Sequence, residues 1–412
     1  MPEATLERVA VMPRVTQGHG AVVPEGFSLF ADGPFLHLAR RLPLLRPIIG
    51  SPGRRLLVAI AITWLPLLVL SIRGGVALHG VALPFLLDIQ TQARLLLALP
   101  LYILAAHQAH CVMTPALKLF VERGVVQDKD RDKFRGILQA ASGWNYSLFL
   151  RLALLATILL FGRGFWMQEL ASRQLSAWYG QAGASGVALT PAGYWLVWVV
   201  NPIFQYLHLL WILRLLMYAA MLARIALLDL HLVATHPDHA GGIGFLGEKS
   251  YAFANLLLAE GAAIAGVLAN RIFHEGRSLM LFKMEIVVSA VVVTLLVLGP
   301  MCVFVPRLLQ AKRKGLDDYG DVANRYTLDF EEAWLQGKTK AEGRELLGSG
   351  DVQSLADMAN SHQVVVQMRP VPFSNMDAIE TVAFFLLPIA PLVFTVLPPE
   401  ELAKAIVRAF LG

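Results

Sequence analysis

The sequence predicts an all-α, polytopic membrane protein with about seven membrane segments and a small helical cap, and three observations predict it. Of 412 residues, 56% are apolar and only 16% are charged, whereas a soluble domain carries about 25% charged residues. The mean hydropathy is positive, at +0.57. Apolar stretches close to the roughly 20 residues that a helix needs to cross a hydrocarbon core about 30 Å thick recur along the chain. Lys and Arg exceed Asp and Glu by only five, which gives no support to a nucleic-acid partner. The two cysteines, Cys111 and Cys302, are too few for a disulfide framework or a zinc site of their own.

The predicted segments run over 56–72, 93–113, 148–167, 194–222, 252–273, 286–305 and 381–397. The last contains Pro388 and Pro391 and is followed by Pro398 and Pro399, so a kinked, tilted or re-entrant passage is expected there. The chain accordingly divides into an N-terminal arm (1–54), a six-helix transmembrane domain (55–305), a helical cap (306–380) and a C-terminal membrane segment with its tail (381–412). The arm has no secretory-signal pattern. Its Phe27, Phe30 and Phe35, ahead of Arg40, Arg41 and Arg46, suit either a helix in the headgroup layer or a leader whose arginines set topology.

Positive residues are retained on the cytoplasmic side. Alternating the connections across the membrane puts twenty-four Lys and Arg on the side of the N-terminus and six on the other. We therefore expect a cytoplasmic N-terminus. The cap begins with the basic collar Arg307, Lys312 and Arg313, then continues into the acidic stretch from Asp317 to Glu332 and a second amphipathic stretch from Ser354 to Val366. The alternating run from Gln127 to Lys133 suits a solvated helix face.

Ionisable groups at mid-bilayer are costly and carry a functional expectation unless they reach an interface. Arg94, Arg151, Arg163 and Arg271 lie near span ends, and snorkelling is expected of them. Asn201, Gln205 and His208 are spaced i, i+4, i+7 and form a stripe on the fourth span, the candidate lining of a solute path or, alternatively, a hydrogen-bonded seam between helices. Arg214 and Glu260 fall at matching depths on adjoining spans, which predicts an intramembrane ion pair. The small residues Gly261, Ala262, Ala263, Ala265, Gly266 and Ala269 permit close helix approach, and with the cap they lead us to expect a homo-oligomer.

The segment from Asp229 to Gly247 is the most distinctive in the chain. His231, His236, Asp238 and His239 offer donors for a divalent metal at a spacing that matches no standard pattern. Against this, Pro237 with Gly241, Gly242, Gly244 and Gly247 suits a tight turn with Asp238 as a cap. His107, His110 and Cys111, at i, i+3, i+4, could hold a soft metal or simply pack. Thr235 through Leu246, together with Phe85–Ile89, Ala98–Leu101 and Ser354–Asp357, resembles a group of uncharacterised multi-pass bacterial inner-membrane proteins. The resemblance covers most of the chain from the first crossing onward. It implies a bacterial cytoplasmic-membrane setting and carries over no activity or site residue.

There is no P-loop, dinucleotide fingerprint, G-x-S-x-G elbow, HExxH pair or haem-attachment sequence, so no enzymatic chemistry or cofactor is indicated. The leading expectation is a channel or transporter for a small ion or polar solute, with an anion mildly preferred. One alternative is a membrane-anchored signalling or assembly protein acting through its cytoplasmic segments. The other is a membrane-embedded metalloenzyme built on the histidine-rich loop.

Overall fold

The computed structural model describes residues 51–162, 164, 176–183, 186–336 and 350–396, together with Val23, Pro24, Phe27, Leu29 and Phe30. The chain is helical throughout these residues apart from loops and one antiparallel hairpin, β1 (Gly180–Gly183) and β2 (Gly186–Leu189). Helix α1 is Pro52–Arg73 and α2 is Ile89–Glu122. Next, α3 (Arg131–Tyr146) meets α4 (Leu148–Gly162) at a 43° bend. After the hairpin come α5 (Pro191–Ala226), α6 (Phe245–Glu275) and the very long α7 (Leu279–Leu335). The last two helices are α8 (Gly350–Val366) and α9 (Asn375–Leu386).

Five of these helices, α1, α2, α5, α6 and α7, are long and apolar enough to cross a membrane, or six if the bent α3–α4 pair is one span. The seventh expected segment is not among them. The α9 helix has 12 residues, about 18 Å at 1.5 Å per residue, short of the roughly 30 Å required. A 3-10 turn, Ala390–Thr395, follows it after Pro388. The α9 helix lies against α6. Gly261 makes this possible, because a Cβ there would collide with the carbonyl of Phe385.

Local sequence explains the breaks. Ser147 accepts from the Leu150 amide and starts α4. Beside it, buried Arg151 donates to both the backbone and the side-chain oxygen of Asn145, so this arginine turns inward rather than snorkelling. The same holds for Arg94, which is buried with its guanidinium 4.4 Å from the centre of the Phe204 ring. The expected snorkelling failed at both because a hydrogen-bond partner inside the bundle competes with the interface. Arg163 lies outside the described residues.

At one end of the bundle, Asp88 ties three parts of the chain together. Its carboxylate accepts from the Thr91 hydroxyl at 2.6 Å, Asn270 Nδ2 at 2.7 Å and Trp178 Nε1 at 2.9 Å, joining the start of α2, the end of α6 and the residues before the hairpin. At the other end, the 123–130 and 227–244 loops gather beside the middle of α7. Lys129 pairs with Asp229, Arg307 donates to the Ala226 carbonyl, and Lys312 to that of Met368. Thus the connections that the charge count places on one side gather at one end. Beyond it, α7 continues as a solvated helix with α8 packed along it; Tyr326 and Trp334 both hydrogen-bond Asp351. Most of the N-terminal arm lies outside the described residues. Phe30, however, is buried among Trp211, Tyr218 and Phe253, so this aromatic residue fills the protein core and not a headgroup layer.

Candidate functional site

Three helices each contribute one polar side chain at about the middle of their length. Tyr102 on α2 donates its hydroxyl to Glu260 Oε1 on α6 at 2.8 Å. His208 Nδ1 on α5 lies 3.0 Å from that hydroxyl and 3.1 Å from the same carboxylate oxygen. With the phenolic proton committed to Glu260, the contact to His208 requires an N–H on Nδ1. Packing sets the geometry. The Tyr102 ring lies edge-on to Phe204 and His208, and Trp211 Nε1 donates to the Tyr102 carbonyl, locking α5 against α2.

The triad closes the polar end of a cavity of about 390 Å³ whose other walls include Ile158, Phe161, Leu209 and Ala263. Gln205 and Gly162 also line it. The Gln205 amide donates to the Gly162 carbonyl at 3.4 Å, and a Cβ at position 162 would collide with that amide. Three π-helical segments, Ala93–Ala98, Ile158–Gly162 and Leu196–Val200, lie in or next to these helices. Such segments recur at functional sites because they re-aim side chains within a helix.

The expected stripe therefore divides. Gln205 and His208 line the cavity, whereas Asn201 is buried and accepts from Arg94 Nη2 at 3.1 Å, as a seam between α2 and α5. The expected Arg214–Glu260 pair does not form. Glu260 is held by Tyr102 and His208, and the Arg214 guanidinium lies 5.2 Å from the Trp211 ring centre. Matching the two residues by depth neglected their direction around the helix. Six residues separate Arg214 from His208, about 240° of rotation at 100° per residue, so the two cannot share one face. Tyr102 was missed because a tyrosine in an apolar run carries no periodic signal of its own.

In the loop joining α5 to α6, Asp238 organises the backbone. Its carboxylate accepts from the amides of Ala240 at 2.8 Å, Gly244 at 2.9 Å and Gly242 at 3.1 Å. His236 Nδ1 is 2.8 Å from Asp238 Oδ1. Burial works to raise the Asp238 carboxyl, but the three amides and His236 outweigh it and hold it below the usual carboxylate range. Gly242 adopts φ 97°, a conformation that favours glycine. Arg369 fastens the loop to the segment between α8 and α9 by donating to the carbonyls of Asp238 and, through its amide, His239.

Among the described residues, no group of three or more His, Cys, Asp or Glu side chains could hold a metal. The metal expectation for His231, His236, Asp238 and His239 is thereby corrected: both Asp238 oxygens are occupied by backbone amides, while His231 lines a separate cavity against α7. Likewise, His107 contacts Cys111 at 3.7 Å while His110 turns to Thr114. The chain matches no known protein family, curated protein or solved structure, so its geometry alone carries the functional argument.

Proposed function

We propose that the chain is a carrier or channel for a small ion or polar solute in the bacterial cytoplasmic membrane, with its N-terminus inside, and that the cavity at Glu260 holds the solute midway across. The observation that supports this reading is the carboxylate–imidazole–phenol cluster at mid-helix beside an open cavity. An ionisable group at this depth is expensive to keep and carries a functional expectation, and here it borders open space as well as its neighbours. Glu260 supplies negative charge at the cavity, and this favours a cation or proton over the anion suggested by the distribution of arginines.

Reconstitution into liposomes tests the proposal. Flux of rubidium, methylammonium, benzyltrimethylammonium and chloride is measured beside Glu260→Gln and His208→Ala. We expect a cation flux that Glu260→Gln abolishes while the protein still elutes as a folded species. Flux unchanged by both substitutions would remove the cavity from the transport path.

A further inference from the structure

The geometry points to an organic cation with an apolar body as the ligand of the Glu260 cavity, an inference that rests on reading this cavity as the solute site. Both donors to Glu260, the Tyr102 hydroxyl and His208 Nδ1, go to Oε1, and among the described residues none reaches Oε2. This leaves Oε2 open to a partner from the cavity, and a carboxylate at this depth calls for a positive one. The Arg94 guanidinium is committed to Asn201 and Phe204 and does not line the cavity.

The remaining walls select the body of that partner. Tyr102 and Phe161 are among the residues that line the space, and aromatic rings attract a poorly hydrated cation. Ile158, Leu209 and Ala263 complete an apolar surface. A bare inorganic ion would need a shell of oxygen ligands to replace its water, whereas Glu260, Gln205, Tyr102 and Thr157 supply only a small polar part of a mostly apolar lining. Phe161 at the cavity is 71% exposed, and Leu160 beside it 74%. In an apolar helix these side chains face lipid, so an amphiphilic ligand can enter sideways from the hydrocarbon. The cavity, at about 390 Å³, is in the range of small-molecule sites.

Tetraphenylphosphonium is a suitable probe. Its saturable binding to the full chain in nanodiscs, corrected for empty discs, is measured by equilibrium dialysis. We expect binding that Glu260→Gln weakens at least about tenfold and that Ala263→Phe, which fills the cavity and spares the triad, also abolishes. Tetramethylammonium, which lacks the apolar body, and tetraphenylborate, which reverses the charge, should compete poorly. Absence of saturable binding, binding that survives Ala263→Phe, or equal competition by tetraphenylborate would overturn the inference. The Ala263→Phe and competitor arms decide it if Glu260→Gln does not fold. Cavity-dependent binding without any flux would uphold the ligand class and sink the carrier. Rubidium or methylammonium flux without tetraphenylphosphonium binding would do the reverse.

Discussion

Glu260 and His208 meet at 3.1 Å across the interface of α6 and α5, and the two helices are joined by the single loop that Asp238 organises.

Tyr102→Phe keeps the ring against Phe204 and removes the hydroxyl that donates to Glu260. A hydrogen bond to a charged group contributes about 1.5–3 kcal/mol. We expect a lower thermal midpoint and reduced flux. In a double-mutant cycle with Glu260→Gln, the two losses should be less than additive; full additivity would show that the groups are not coupled.

Gly162→Val places a branched side chain where Gln205 now sits. Flux should fall at least about tenfold, while stability changes by only about 1–3 kcal/mol, the cost usual for overpacking. Equal flux in wild type and variant would take α4 out of the path.

Asp88→Ala leaves the Trp178 indole and the Asn270 amide without their acceptor. The expected loss is about 3 kcal/mol or more, read as a lowered unfolding midpoint. Cation flux in the surviving folded fraction should be normal, because Asp88 does not line the cavity.

The Asp238 loop carries a pH signature. The folded-state carboxyl is held below its ordinary value, so its contribution to stability is complete above the ordinary aspartate range and is lost as pH falls through the lowered value. Proteolysis of the 227–244 loop should therefore stay slow at neutral pH and accelerate only in acid below that range. Asp238→Asn should be cut rapidly at neutral pH as well; a protected Asp238→Asn loop would contradict this account.

Single cysteines placed at Lys312 and Gly276, in a background with Cys111 and Cys302 replaced by serine, test the proposed orientation. The Lys312 position should react only from the cytoplasmic side and the Gly276 position only from the opposite side. Labelling of both from one side would dismantle the topology and every role assigned from it.

The all-α class and the positions of five long apolar helices were legible in the sequence, because burial of backbone and apolar side chains in hydrocarbon is a requirement on consecutive residues; their ends were not, since 93–113 became Ile89–Glu122 and 286–305 became Leu279–Leu335. Segment 56–72 became Pro52–Arg73, and 252–273 became Phe245–Glu275. At 381–397, where prolines led us to expect a kinked or re-entrant segment, a 12-residue helix leans on Gly261 and a 3-10 turn follows it, too short to count as a span by length. Gln205, His208 and Glu260 stood out as polar residues in apolar runs. Their partners did not, since a one-dimensional pattern contains neither the rotation of one helix about its axis nor its register against the next. Only the tertiary structure decided that Glu260 meets Tyr102 and His208, that Arg214 turns to Trp211, and that Asp238 holds a backbone turn, because hydrogen bonds and ion pairs form over about 3 Å and are settled by the packing of distant segments.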